Sequence, residues 1–150
     1  MSVQVEKQKN TQNITLVSKS HIGKCVLRTA KKYRLDPYLI WAVKRVETGR
    51  SLEGNRVGNN TNKTRDIGLM QTNSMHLKAL KEFGITESHL KEPCISLDVA
   101  GWMLAGLIKK HGVREGVGRY HSGTPKFKNP YIKKVFKEWY SLVKTAKKFQ

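Results

Sequence analysis

Glu47 is the residue in this chain best suited to acid–base chemistry. In the helical stretch from Pro37 to Thr48, residues Ala42, Val46, Leu39, Val43 and Ile40 form one apolar arc at 100° per residue. Glu47 falls inside that arc, between Val43 and Ile40, while Lys44 and Arg45 point elsewhere. A carboxylate facing an apolar wall loses solvation, which disfavours its charged form. A carboxyl group kept protonated near neutral pH is what a general acid requires. Downstream, Asp66-Ile67-Gly68-Leu69-Met70-Gln71 reads as a polar, glycine-opened turn suited to a site. Glu53 and Asp66 are the other carboxylates near it, and neither lies in a motif that fixes it opposite Glu47. Asp66 is expected to order its own loop through side-chain-to-backbone bonds.

The elements that must position Glu47 are helical. A first helix is predicted from about Ser20 to Tyr33, with Ile22, Cys25, Val26, Thr29, Ala30 and Tyr33 on one face. Asp36-Pro37 reads as an N-cap followed by proline at the first helical position, opening the Glu47 helix, and Gly49 stops it. Residues 50–65 are rich in Gly, Asn and Thr and read as a loop whose polarity suits a polar ligand. A short helix is predicted from about Ser74 to Phe83, ended by Gly84, with one more turn over Thr86 to Leu90. Pro93 is read as a break, followed by a helix over Ile95 to His111 that is apolar almost all round and belongs at the centre of the domain. Val113 to Tyr120 makes a short helix and His121 to Pro125 a turn. Asn129-Pro130 is expected to cap the last helix, whose buried stripe is Ile132, Val135, Phe136, Trp139, Leu142 and Val143. No segment alternates long enough to argue for a sheet, so the architecture is all-α, with about six or seven helices.

The chain of 150 residues is enough for one domain with a sizeable core. Residues 1–18 have few apolar anchors and are expected to be disordered, leaving residues 19–150 as the domain. No apolar run reaches the roughly 18 residues of a membrane span, and the N-terminus lacks a signal-peptide apolar region. That fits either a cytoplasmic protein or a mature chain without its leader. With 29 Lys+Arg against 11 Asp+Glu the net charge is +18, which points to polyanionic partners: nucleic acid, an anionic membrane surface or a cell-wall polymer. A solubilising basic surface would have the same composition. Nucleic-acid binding would need basic residues interleaved with aromatics on one face, or a helix-turn-helix. Here the lysines are spread around and the last helix buries its aromatics, so nucleic acid is not the expected partner. Cys25 and Cys94 fit two buried thiols in a cytoplasmic protein or one long-range disulfide in an exported one. Neither has a second Cys or His at ligand spacing, so no metal is expected.

Three runs in order carry a family resemblance: Val46-Glu47-Thr48-Gly49, then Asn60 through Asn73 with Gly68-Leu69-Met70-Gln71 inside it, then Gly118-Arg119-Tyr120-His121-Ser122-Gly123-Thr124-Pro125. With the helical frame between them they resemble the soluble-lytic-transglycosylase-like (SLT) domain. The likeness is greatest to the small specialised members that accompany type IV and type III secretion systems and pili, and covers roughly Cys25 to Val143. It implies a lysozyme-like α fold, as in goose-type lysozyme, with a groove for glycan strands and no cofactor. It also implies cleavage of the β-1,4 bond between N-acetylmuramic acid and N-acetylglucosamine, leaving a 1,6-anhydromuramoyl end. Glu47 matches the family's sole catalytic carboxylate, and a pKa of about 6 is expected by analogy with the desolvated glutamate of lysozyme. Glycosidases of the usual kind use two carboxylates, whereas this mechanism needs one.

By the same resemblance, Gln71 is expected to hydrogen-bond a sugar or position the acid, and Met70 to line the groove. Asn62, Thr64 and Asn73 are expected near the N-acetyl subsites, and the hydroxyl of Tyr120 to reach Glu47 or the sugar ring. His121 stands where many larger relatives have asparagine, though small members accept histidine. Thr48 replaces a common serine and Thr72 a common isoleucine. Cys25 and Pro93-Cys94 match cysteines of the small members, which implies a disulfide, a periplasmic location and a leader absent from this chain. The chain is expected to act as a monomer on peptidoglycan, with secretion-system components as possible partners. The competing readings are a goose-type-like lysozyme using water as nucleophile, a basic nucleic-acid-binding module, and a wall-docking scaffold without catalysis.

Overall fold

A computed structural model of the chain describes residues 21–147. The segment expected to be disordered, 1–18, lies outside those residues, as does the first residue of the predicted opening helix. Among these described residues there are seven α-helices: α1 His21–Tyr33, α2 Pro37–Thr48, α3 Leu77–Leu80, α4 Glu87–Leu90, α5 Pro93–His111, α6 Val113–His121 and α7 Pro125–Lys147. Short 3-10 turns, Ser74–His76 and Lys81–Phe83, flank α3. Among the described residues, no helix is long and apolar enough to cross a membrane.

The start of α2 follows the predicted chemistry. The Asp36 side chain accepts from the Tyr38 amide at 2.8 Å and Pro37 occupies the first turn. Gly49, at φ +64°, ends the helix and donates to the Arg45 carbonyl. α2 packs on α7, and α1 on α5, around a core that includes Val26, Leu39, Ile40, Val43, Leu97 and Val135. Lys44 points away from the Glu47 arc, as its helical position requires, yet stays dry. It does not project into solvent but is buried at 1% exposure, and its amine donates to the Gly49 carbonyl at 2.7 Å. Its stem packs with the core while its head satisfies the helix end, as long amphipathic side chains do.

The loop read over residues 50–65, together with the turn after it, carries a small antiparallel sheet, in the order β1 Val57–Asn59, β2 Arg65–Ile67, β3 Thr72–Asn73. In its register Val57 faces Ile67 and Asp66 faces Asn73. Strands of three, three and two residues are too short to leave an alternating pattern, so the sequence carried no period to read. A side-chain network replaces apolar alternation. Asn62 Oδ1 accepts from the Thr64 amide and hydroxyl, and Asn60 and Asn73 both donate to Thr64 Oγ1.

Two helix starts also differ. Pro93 does not break the chain before Ile95; it occupies the first turn of α5, where its missing N–H costs nothing. The last helix begins at Pro125, not at Asn129-Pro130, because the Thr124 carbonyl already accepts from the Phe127 and Lys128 amides. Pro130 therefore sits inside α7. α5 is also not apolar-buried all round: Trp102 is 47% exposed and meets the exposed Phe83 edge-on.

Cys25 of α1 and Cys94 of α5 form a disulfide, with Cα atoms 5.4 Å apart and a sequence separation of 69. It staples two helices that pack directly on each other. Closing a loop of that length restricts the unfolded chain by about 4 kcal/mol in the chain-entropy picture. The double variant Cys25→Ser/Cys94→Ser is expected to lose stability of that order, read as a lower urea midpoint with m little changed from the reduced parent chain.

Candidate functional site

The Gly68-Leu69-Met70-Gln71 turn is built from the backbone outward. Gly68 takes φ +81°, and a Cβ there would collide with the Leu90 carbonyl, so only glycine fits. Thr48, at the end of α2, donates its hydroxyl to the Leu69 carbonyl at 2.9 Å. The Met70 amide donates to Ser96 Oγ of α5 at 3.1 Å, and Tyr120 of α6 donates to the Met70 carbonyl at 2.8 Å. Three helices thus hold two residues of one turn. The threonine at position 48 keeps the hydroxyl a serine would supply.

Glu47 emerges beside this bracket. Its carboxyl opens into a cleft of about 300 Å³ walled by Val46, His121, Phe127 and Tyr131. Tyr131 of α7 donates its hydroxyl to Glu47 Oε2 at 2.8 Å. The Tyr131 ring stacks on His121, with centroids 4.6 Å apart and planes 7° from parallel. Burial pushes the Glu47 carboxyl up to about 7; the Tyr131 bond opposes that, and the Asp66 charge adds to it. Burial and the neighbouring Glu47 push the Tyr131 phenol well above its ordinary value, so it remains a donor. Loss of water lowers His121 below the ordinary imidazole value, and Lys134 lowers it further against the pull of Asp66. Near neutral pH the site therefore holds a carboxyl poised close to its midpoint, a protonated phenol and an imidazole biased toward its neutral form.

The residues singled out from sequence fall into three groups. Glu47 and His121 share the cleft. Asn62, Thr64 and Asn73 form the hairpin network, in which Asn73 also donates to Asp66 Oδ1 at 3.0 Å. Asp66 is thus held by a side-chain amide. Met70, Gln71 and Tyr120 act on the turn itself. Met70 is 1% exposed and packs in the core, so what it offers is its carbonyl and not a groove-lining thioether. Gln71, at φ +54°, folds its amide back onto the Gly68 carbonyl at 3.0 Å. The Tyr120 hydroxyl is committed to Met70, whereas the phenol on Glu47 is that of Tyr131. Sequence reading missed Tyr131 because the mistaken Pro130 cap placed it at the very start of the last helix. With α7 beginning at Pro125, Tyr131 falls one turn before Val135 on the same buried face.

The His21, Cys25 and Cys94 ligand atoms lie within 4.8 Å of one another, but both sulfurs are consumed by the disulfide. A disulfide offers no thiolate to a metal.

The protonation of Glu47 has a thermodynamic consequence. A carboxyl that binds its proton more tightly when folded favours folding at low pH, fully so below about 4.5. That contribution fades as pH rises through about 7, where the folded carboxyl must ionise in its partly dry setting. Its full size is on the order of 1–3 kcal/mol. Glu47→Gln is therefore expected to be more stable than the parent at pH 8 and closely matched to it at pH 4. Paired thermal melts at the two pH values check this.

Comparison with known proteins agrees with this geometry. The family model described as "Transglycosylase SLT domain" matches residues 24–140. The chain is 35% identical over 124 residues to "Invasion protein IagB" of Salmonella typhimurium, covering 79% of this chain and 76% of that protein. It is 34% identical over 118 residues to "Protein IpgF" of Shigella flexneri, covering 75% and 76%. It is 33% identical over 105 residues to "X polypeptide" of Escherichia coli K12, covering 69% and 61%. The helical body described above is that of the lysozyme-like all-α fold, and the family acts on peptidoglycan. From its cleft to its bracketing turn, the chain belongs to the transglycosylase SLT domain family.

Proposed function

We propose that this protein is a peptidoglycan lytic transglycosylase in which Glu47 serves as both acid and base. Glu47 donates its proton to the glycosidic oxygen between the muramoyl and glucosaminyl units as the C1–O bond breaks. The muramoyl C6 hydroxyl then attacks C1, and the Glu47 carboxylate takes the hydroxyl proton, which restores the acid and leaves a 1,6-anhydro ring. No water is consumed. One observation carries this reading: the cleft has a single carboxyl among the described residues that line it, and that carboxyl is raised to about 7. A two-carboxylate glycosidase would place a second acid across the bond at a defined separation. Asp66, the nearest candidate by charge, is bonded to Asn73 and does not line the cleft.

The Tyr131 hydroxyl orients the carboxyl and can shift its bond as the proton leaves. The His121–Tyr131 stack makes one wall for the sugar ring, and the hairpin amides of Asn62 and Asn73 offer polar contacts further along. The disulfide supports an oxidising compartment, the periplasm, where the substrate also lies. A relative named as an invasion protein supports a role in opening the wall locally for a secretion apparatus.

Purified peptidoglycan incubated with the parent chain should release fragments lighter by one water than hydrolysed ones, by mass spectrometry. Hydrolysed ends would instead identify a lysozyme. Glu47→Gln should lose at least about 10²-fold in turnover; equal activity in both proteins would remove the assignment. The parent kcat/KM should fall above about pH 7 as the acid ionises. Because the Tyr131 bond favours the ionised carboxyl, Tyr131→Phe should move that alkaline limb to higher pH.

A further inference from the structure

The Glu47 cleft also carries two positive charges that the acid–base chemistry does not use. Lys126 and Lys134 line it from α7, both exposed. They stand with Pro130 at i, i+4 and i+8, one row along the helix, beside the row of Phe127 and Tyr131. Among the described residues neither forms an ion pair, whereas their neighbours Arg119 and Lys128 both bind Glu115. The one carboxyl lining the cleft, Glu47, is bonded to Tyr131 and pairs with neither lysine. Lys126 Nζ sits 5.9 Å from the ring centre of Phe127, which is 54% exposed and presents an apolar platform between the two cations.

We propose that Lys126 and Lys134 form a subsite for the carboxylates of the peptide side chains on the muramoyl units, selecting peptide-bearing glycan over bare glycan. This rests on the reading of the Glu47 cleft as a peptidoglycan site. Eight helical residues separate the two ammonium stems by roughly 12 Å along the axis. An extended peptide covers that distance in about three to four residues, a span over which one stem peptide presents more than one carboxylate. The row lies beside the aromatic row, so a sugar seated on Phe127 and Tyr131 would direct its peptide branch across the lysines and away from Glu47. Phe127 and the stack grip the sugar, and the lysines read what is attached to it.

The test measures binding to Glu47→Gln, which removes turnover, and to Glu47→Gln/Lys126→Gln/Lys134→Gln. Three ligands separate the possible sources of charge: glycan strands carrying stem peptides, the same strands stripped by an amidase so that the lactyl carboxylates are free, and a chitin oligosaccharide with no carboxylate. The expected result at low salt is a loss for peptide-bearing strands on the triple variant about tenfold greater than the loss for chitin, narrowing as salt is raised. An equal change for all three ligands, or none, overturns the proposal. A loss as large for stripped strands assigns the lysines to the lactyl group and also overturns it. If no strand binds either protein, the peptidoglycan reading of the cleft fails, a result distinct from peptide-bearing strands binding both proteins alike.

Discussion

A carboxyl group at the last turn of a helix ordinarily swings into water and ionises. Here α7 prevents that. Tyr131 bonds the Glu47 carboxyl at one end of α2, and Trp139 donates to the Asp36 carboxylate at the other, at 3.0 Å. Asp36 is also the N-cap, so one long helix grips both termini of the helix that carries the acid. Burial raises the affinity of Glu47 for its proton, and the phenol fixes its direction. Neither alone would suffice, because an unanchored dry carboxyl would rotate out and an anchored wet one would stay charged.

The bracketing turn solves a related problem from the opposite side. Gly68 through Gln71 carries no charge, yet α2, α5 and α6 all bond to its backbone. Such backbone groups need partners once buried, and the helices supply them through hydroxyls of Thr48, Ser96 and Tyr120. The motif residues near the acid are thus largely scaffolding. They fix where α2 ends, and that determines where the carboxyl can be.

Much of the helical frame was legible in the sequence because its signals are local. Asp36-Pro37, Gly49, Gly84 and Gly112 mark ends through their own backbone chemistry, and the apolar arc around Glu47 follows from the helical period. The cysteine pairing came only through the family resemblance, since spacing alone left it open. What stayed hidden depends on partners distant in sequence. Tyr131 lies 84 residues from the carboxyl it binds, and no local pattern around it points to Glu47. The hairpin strands are too short for a period. The burial of Lys44 left no sign in the sequence, because the carbonyl that receives its amine becomes available only when α2 ends at Gly49. The Asn129-Pro130 cap failed because Ser122 and Thr124 turn the chain earlier, so Pro130 falls inside the helix it was expected to open.

The Cys25–Cys94 bridge also bears on how long the protein survives in each compartment. A domain of this size typically holds only about 5–15 kcal/mol of net stability. In a reducing environment the chain would forgo the roughly 4 kcal/mol that the bridge supplies. Its unfolded fraction would then rise by about three orders of magnitude, exposing it to proteases. A copy retained among thiols would be cleared far faster than one that reached an oxidising space. The staple between α1 and α5 thereby ties the protein's lifetime to the redox state of its surroundings.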